Sequence, residues 1–241
     1  MNYSDTVFAH RGYHNNRNSI PENSMSAFEA AITNNFPIEL DVHHTSDQKV
    51  VVFHDDTLKR ICGVDGIIED MTFDELEHLS LLNTDSKIPL FEDVLKLING
   101  RVLLLIELKL PRNDISICVT VYNLLINYSG DYMIQSFNSM GLYWFKKNAP
   151  EVLRGQLSSN LTKHNSAEPY ILRLMVRFLL TNIFCKPDFI SYKLDDVNNY
   201  SLYLNQFFYK IPVAVWTIRS KEAFQYSKEH FNMVIFERFD S

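Results

Sequence analysis

A helix followed by a strand is encoded in residues 24–42, SMSAFEAAITNNFPIELDV. Ser24 is a favoured helix N-cap, and Ala27, Phe28, Ala31 and Ile32 after it fall on one side of a helix. The run from Ile38 to Val42 has the length of a strand and alternates apolar with acidic side chains. The stretch therefore predicts a helix that leads directly into a buried strand.

The same scheme recurs along the rest of the chain, with helical patterns between most of the strand-like runs. Pro89, for example, precedes Phe91, Val94, Leu95 and Ile98, which share one side of a helix. Alternation of strands and helices predicts a parallel sheet, and eight nearly continuous apolar strands favour a closed α/β TIM (β/α)₈ barrel over an open doubly wound sheet. The eight runs are Val7 to Ala9, Ile38 to Val42, Val102 to Leu108, Tyr132 to Phe137, Val152 to Leu157, Phe189 to Tyr192, Val213 to Ile218 and Met233 to Phe236.

One more strand-like run interrupts the alternation after the second barrel strand. Val50 to His54 follows Glu39 to His44 after a linker too short for a parallel crossover, so the two predict an antiparallel hairpin. A turn at Asp47 and Gln48 would pair Asp41 with His54 and return the histidine to the end of the barrel. We expect a TIM barrel with a small hairpin and helical insertion after strand 2.

Composition narrows the class of protein. The 241 residues, with 46% apolar and 22% charged side chains, predict one globular domain over residues 1–241. A formal net charge of −6 argues against a nucleic-acid partner. Three widely spaced cysteines and an N-terminus without a charged-then-apolar leader predict a cytoplasmic protein.

The most apolar stretch runs from Tyr170 to Cys185 and is interrupted by Arg173 and Arg177. It is too short and too charged for a stable membrane span. Two interpretations remain open for it: a helix packed against a core, or a surface in transient contact with a membrane.

Acidic side chains stand on two of the predicted barrel strands. Glu39 and Asp41 are two residues apart and therefore project from the same face, and Glu107 repeats the arrangement on the next barrel strand with Lys109 beside it. Neighbouring buried carboxylates need a compensating cation. Three carboxylates favour Mg²⁺ or Ca²⁺ over Zn²⁺, and a salt-bridged polar patch is the alternative.

Two histidines, His10 and His54, each end a strand, and in a barrel the carboxyl ends of the strands meet around one pocket. One imidazole could take a proton from a nucleophile while the other gives a proton to the leaving group. Arg11 and Lys109 could contact phosphate oxygens. These are the groups that phosphodiester cleavage needs.

The same residues resemble the motifs of the glycerophosphodiester phosphodiesterases, in matching order and spacing. The resemblance covers almost the whole chain, extends weakly to Val215-Trp216-Thr217, and departs from the Thr-Asp with which many relatives end their last strand. The matching motifs are Ala9-His10-Arg11-Gly12, Pro21-Glu22-Asn23-Ser24, Ile38-Glu39-Leu40-Asp41-Val42, Val52-Phe53-His54-Asp55 and Ile106-Glu107-Leu108-Lys109.

Carried over residue by residue, the resemblance implies a metal-dependent hydrolase that converts glycerophosphodiesters to an alcohol and glycerol 3-phosphate. It implies His10 and His54 as the acid–base pair, Glu39, Asp41 and Glu107 as ligands of Mg²⁺ or Ca²⁺, and Arg11, Lys109 and Trp216 as substrate contacts. Trp216 could equally be an aromatic residue that fills the top of the barrel.

Several alternatives stay open at this point. A phospholipase D-type cleavage of lysophospholipids or sphingolipids through a cyclic phosphate would use the same groups, and a non-catalytic barrel that only binds is a lesser alternative. His14 could compete for an acid–base role. His43 and His44 face opposite ways on the hairpin, so that at most one of them would point into the pocket. That residue could have a substrate-rim role, and plain exposure is the alternative. The oligomeric state is not predicted.

Overall fold

The computed structural model describes residues 3–163 and 169–239. Its strands are β1 Thr6–Ala9, β2 Ile38–His44, β3 Val50–Val52, β4 Leu104–Leu108, β5 Tyr132–Ser136, β6 Leu153–Ser158, β7 Phe189–Lys193, β8 Val213–Ile218 and β9 Met233–Phe236. All eight predicted barrel strands are present, with ends that differ from the prediction by at most two residues.

Helices separate most of the strands, as the periodicity predicts. They are α1 Met25–Thr33, α2 Lys59–Cys62, α3 Phe73–Leu76, α4 Phe91–Ile98, α5 Ser116–Leu125, α6 Ser139–Asn148, α7 Tyr170–Arg177, α8 Asn182–Cys185, α9 Tyr200–Tyr209 and α10 Lys221–His230. Short 3₁₀ turns lie at Ile68–Asp70, Leu161–Lys163 and Leu194–Asp196.

The strands of the described residues join one sheet in the order β1-β9-β8-β7-β6-β5-β4-β2-β3, and β1 also pairs with β2. That additional pairing closes the eight parallel strands on themselves, while β3 stands outside the ring as the antiparallel partner of β2. The fold is a TIM barrel with a hairpin after its second strand, as predicted.

The sequence around the first barrel helix explains its position. The Ser24 side chain accepts a hydrogen bond from the Ala27 backbone N–H and so caps α1, whose residues Ala27, Phe28 and Ala31 are buried. Every residue of β2 is buried, which is typical of a barrel strand covered on both faces.

The hairpin forms, but its predicted register is wrong by one residue. Val42 lies opposite Val52 and His44 opposite Val50, so Asp41 faces Phe53 rather than His54. The loop has three residues instead of two: the backbones of Thr45 and Lys49 close it, and Gln48 adopts a left-handed φ of 62°. Three-residue hairpins commonly combine a turn with one left-handed residue in this way.

The insertion after the hairpin has a hydrophobic cluster of its own. Side chains from β3, α2, α3 and the loops around them pack together. This packing stabilises the segment between β3 and α4. Its buried members are Val51, Phe53, Leu58, Ile61, Ile68, Leu76, Leu81 and Ile88.

The apolar stretch from Tyr170 to Cys185 differs from the predicted core helix. It is two short helices, α7 and α8, because Leu179 has a left-handed φ of 56° and interrupts the helical path. Several of its large apolar side chains are exposed rather than packed, among them Ile171, Ile183 and Phe184. Within residues 3–163 and 169–239, no helix combines the length and apolar character needed to cross a membrane.

The chain divides into two compact units. One contains residues 8–132, and the other contains residues 1–7 together with residues 133–241. All the predicted site residues except Trp216 belong to the unit of residues 8–132.

Candidate active site and metal centre

Three carboxylates gather on two adjacent strands, β2 and β4. Parallel pairing of β2 with β4 places Asp41 beside Glu107, and Glu39 lies two residues earlier on the same strand as Asp41. One carboxylate oxygen from each of the three lies within 4.8 Å of the others, and all three residues are buried. The structure thus brings together the predicted metal ligands.

The pKa values within this cluster diverge. Burial raises the pKa of Glu39 well above its usual value, and the negative charges of Asp41 and Glu107 raise it further. Burial would also raise the pKa of Asp41, but the nearby Lys109, His54 and Arg11 hold it well below its usual value. Burial raises the pKa of Glu107, against the opposing effect of Lys109. The nearby cations therefore stabilise the ionised form of Asp41 more fully than those of Glu39 and Glu107.

Two cations lie against the carboxylates. Lys109 Nζ is 3.0 Å from Asp41 Oδ1 and 2.5 Å from Glu107 Oε1. Arg11 donates its backbone N–H to Glu39 Oε2 at 3.1 Å, and its Nε is 3.6 Å from Asp41 Oδ2. Asp41 Oδ2 also accepts a hydrogen bond of 2.9 Å from Asn23 Nδ2. Both predicted phosphate contacts are therefore next to the acidic cluster.

The two predicted acid–base histidines lie near the same carboxylates, since both act electrostatically on Asp41. His10 Nε2 is 3.9 Å from Glu39 Oε2. His54 Nδ1 is 2.6 Å from Asp55 Oδ1, and this contact fixes the orientation of the ring. His43 Nε2 is 3.3 Å from the carbonyl oxygen of His54 and supports the backbone there.

A salt-bridge network that the sequence reasoning missed joins the loops after β1 and β3. Arg60 donates to both oxygens of Asp55, at 2.6 and 2.8 Å, and to both oxygens of Glu22, at 2.9 and 2.8 Å. Glu22 also accepts a 2.5 Å hydrogen bond from Arg11 Nη1. Arg60 thereby connects the neighbour of His54 to the partner of Arg11.

Part of this network has a signal in the sequence. Glu22 and Asn23 belong to one of the matching motifs, although the sequence alone assigns them no role, and Asp55 directly follows His54. Arg60 has no such signal, because it lies in the four-residue helix α2. A long side chain that bridges two loops leaves no periodic pattern.

The remaining predicted residues have mixed outcomes. His43 and His44 are both buried, so the predicted exposure of at least one of them is wrong. Burial lowers the pKa of His43 to about 4, which keeps its imidazole neutral. His14 is buried as well, and an acid–base role for it stays a prediction. Trp216, on β8, packs edge-to-face against Phe137, with ring centroids 5.9 Å apart.

Comparison with known proteins identifies one family of similar sequences. The model of the glycerophosphoryl diester phosphodiesterase family matches residues 10–231. A glycerophosphodiester phosphodiesterase of Bacillus altitudinis is 39% identical over 44% of this chain and 45% of its own length. Human lysophospholipase D GDPD1 is 28% identical over 68% of this chain and 51% of its own length. The chain thus covers less than two thirds of either relative.

A solved structure shares the fold over nearly the whole chain. It is an Oleispira antarctica phosphodiesterase in complex with the product sn-glycerol-3-phosphate, 20% identical, with a TM-score of 0.79 over 97% of this chain and 93% of that one. At this identity the similarity supports the TIM barrel.

Proposed function

The chain belongs to the glycerophosphoryl diester phosphodiesterase family, and from that membership we propose that it hydrolyses glycerophosphodiesters to an alcohol and glycerol 3-phosphate with the help of a divalent metal. The observation that carries the proposal is the cluster of Glu39, Asp41 and Glu107 within 4.8 Å, bordered by two histidines. Such a cluster serves no obvious structural purpose, because burying three carboxylates together is costly.

The donor set fits Mg²⁺ or Ca²⁺. All three side chains offer carboxylate oxygens, which hard cations prefer. A divalent ion would offset both the burial and the repulsion from Asp41 and Glu107 that raise the pKa of Glu39. When bound, the ion would neutralise charge on the phosphoryl group and polarise it.

The chain's own residues would carry the proton transfers. In the proposed hydrolysis, water attacks phosphorus and the phosphorus–oxygen bond to the alcohol breaks. One of His10 and His54 takes a proton from the water, and the other gives a proton to the departing alkoxide. The Asp55 contact supports His54 in such a role, because it holds the ring in one orientation.

Arg11 and Lys109 would hold the phosphate. Each is already next to the acidic cluster and is mostly buried, so a bound phosphate would meet them in a medium that weakens solvent screening. The proposal assigns Arg11 a bidentate contact and Lys109 a point contact.

The first test measures release of glycerol 3-phosphate from glycerophosphocholine, glycerophosphoethanolamine and glycerophosphoglycerol during a titration with Mg²⁺ or Ca²⁺. We expect activity that chelation by EDTA abolishes, and full activity in EDTA would refute the metal requirement. Calorimetry of metal binding to Glu39→Gln, against Glu29→Gln as an exposed control on α1, separates loss of the ion from loss of catalysis.

A second test addresses the histidines. His10→Ala and His54→Ala should each lower kcat by about 10²- to 10⁴-fold. His78→Ala is the matched control, because the His78 side chain is 82% exposed. A folded His54→Ala variant with wild-type kcat would rule out the role proposed for that residue.

A second candidate function is phospholipase D-type cleavage of a lysophospholipid or sphingolipid, in which the substrate's own hydroxyl attacks phosphorus and a cyclic phosphate forms. The exposed apolar side chains of α7 and α8 favour it, because of where α7 lies. Ser158 is the last residue of β6 and donates a 2.8 Å hydrogen bond to the Val176 carbonyl, so α7 lies at the carboxyl end of that strand. TIM barrels have their active sites at that end of their strands. Phosphorus NMR of the products distinguishes the two reactions.

Four sequence-based statements stay predictions: a single domain over residues 1–241, a cytoplasmic location, the absence of a nucleic-acid partner, and a substrate contact by Trp216. A Trp216→Phe variant that raises KM for a glycerophosphodiester without loss of stability would support the last of them.

A further inference from the structure

Large apolar side chains are exposed on α7 and α8. Ile171 is 72% exposed, Ile183 75% and Phe184 63%, and Leu172 and Leu180 are exposed as well. A single exposed apolar side chain is ordinary, but five within fourteen residues form a patch that needs a partner. We call these five residues, together with Lys146, Lys147 and Lys186, the basic apolar face.

This patch is held in a defined geometry. The Leu180 N–H donates to the Met175 carbonyl at 2.9 Å and folds α8 back towards α7, and Lys146 Nζ of α6 donates to the Phe184 carbonyl at 2.7 Å. The Arg177 carbonyl accepts hydrogen bonds from Tyr192 and from Asn199, the N-cap of α9. The exposed side chains therefore project from an anchored scaffold.

The beginning of helix α9 adds exposed aromatic side chains next to α7. Tyr200 is 88% exposed and Tyr203 56%. Because the Asn199 side chain bonds to the end of α7, the beginning of α9 lies next to that helix. Exposed Tyr and Phe are typical of surfaces at the boundary between water and lipid.

The charge on α6, α7 and α8 is one-sided. Residues 132–150 and 169–187, which contain α6, α7 and α8, include no Asp or Glu, while the whole chain has a net charge of −6. Their basic residues are Lys146, Lys147, Arg173, Arg177 and Lys186. Apolar side chains flanked by cations match a surface that is apolar inside and anionic outside.

A second copy of this chain matches the patch less well. An isologous dimer through it would bring the lysines of both copies close together, and like charges across an interface oppose association. We propose that the basic apolar face docks on the surface of an anionic phospholipid bilayer. This docking goes beyond the proposed hydrolysis and does not depend on it.

The test is flotation of the full chain with vesicles of phosphatidylcholine, with and without phosphatidylglycerol. We expect binding to the phosphatidylglycerol vesicles that falls as salt rises. The double variant I183S/F184S should lower the partition coefficient by at least about tenfold. K147Q/K186Q should lower it by about fivefold for each cation removed.

The controls match these substitutions in chemistry and differ in place. Ile126→Ser removes an exposed apolar side chain at the end of α5, and Lys49→Gln removes an exposed cation in the hairpin; both should bind like the wild type. Melting curves and hydrolysis of soluble glycerophosphocholine should be unchanged in all variants, so a failure of docking and a failure of the proposed hydrolysis are read separately.

Three outcomes would overturn the proposal. One is no binding of the wild type to phosphatidylglycerol vesicles, and another is equal binding by wild type and both double variants. The third is a concentration-dependent dimer that I183S/F184S dissociates while vesicle binding is unchanged, which would assign the face to a second copy.

Discussion

At the scale of single residues, Gly12 in the loop after β1 allows the backbone next to His10 and Arg11 to pack closely against β2. Gly12 has a φ of 80°, and its N–H donates to the Glu39 carbonyl at 3.2 Å, so the turn that follows His10 and Arg11 lies directly on β2. A Cβ at Gly12 would lie 2.9 Å from the backbone carbon of Ala27 in α1. Only glycine meets both constraints.

The Gly12→Ala substitution should therefore destabilise the protein by about 3 kcal/mol, because it combines left-handed strain with a clash against backbone. Gly63→Ala is the matched control: Gly63 has a similar φ of 74°, but a Cβ added there would have no atom within 4 Å. It should cost only about 1 kcal/mol. Urea denaturation measures both, and equal losses would contradict the role given to the clash with Ala27.

Arg60 provides a second prediction at this scale, because it restrains Asp55 and Glu22 at once. Arg60→Gln should lower kcat by about tenfold and change its pH profile, since a less restrained Asp55 no longer fixes His54. Arg60→Lys should restore part of the loss. Arg112→Gln, which removes an exposed arginine paired with Asp70, is the control, and wild-type kinetics in Arg60→Gln would contradict the positioning role.

At the scale of elements, the sequence predicts the helices and strands that have a periodic side-chain pattern. It does not predict features that depend on the backbone angle of one residue. The barrel strands and α1 follow from alternation and from the Ser24 cap. The hairpin register and the break between α7 and α8 do not, because they depend on the left-handed conformations of Gln48 and Leu179. No side-chain pattern in the sequence predicts that a glutamine or a leucine adopts a left-handed backbone conformation.

The same reasoning explains the candidate site. The spacing of Glu39, Asp41 and Glu107 predicted their proximity, because residues at matching positions of adjacent parallel strands must lie together. The links from Arg60 to Asp55 and Glu22 could not be predicted, since they depend on where the inserted helix α2 places a long side chain.

The hairpin loop allows a test of its own. Gln48→Gly should stabilise the protein by about 0.5–1 kcal/mol, because glycine adopts the left-handed φ of 62° without steric cost. Ser46→Gly in the same loop should instead destabilise it slightly, because Ser46 lacks a left-handed backbone. The free energy of unfolding in urea decides, and a loss of stability in Gln48→Gly would contradict the three-residue loop.

At the scale of the whole molecule, buried charge makes stability depend on pH. Burial would raise the pKa of Glu22, but hydrogen bonds from Arg60 and the charge of Arg11 lower it to about 2, from a usual value of 4.5. A lowered pKa means that the ionised form stabilises the fold. This contribution is complete above pH 4.5 and is lost as the pH falls towards 2.

The wild type should therefore lose about 3 kcal/mol of stability through Glu22 between pH 4.5 and 2, on top of the losses from other carboxylates. Glu22→Gln should be less stable at pH 7 and should show a shallower decline over that range. Glu29→Gln, with an exposed carboxylate on α1, should follow the wild type. Parallel pH curves for Glu22→Gln and the wild type, measured by urea denaturation, would contradict the assignment.

The position of Lys109 between two carboxylates has a consequence for folding of the newly synthesised chain. Its ammonium group bridges Asp41 and Glu107, and burial would lower its pKa, but these two carboxylates raise it, so it is charged whenever they are ionised. A newly synthesised chain thus has one counter-ion of its own at the acidic cluster, which lowers the cost of burying Asp41 and Glu107 before any metal binds. Under the proposed metal dependence, loading of the ion would follow folding, and the supply of the ion would set the active fraction of the folded protein.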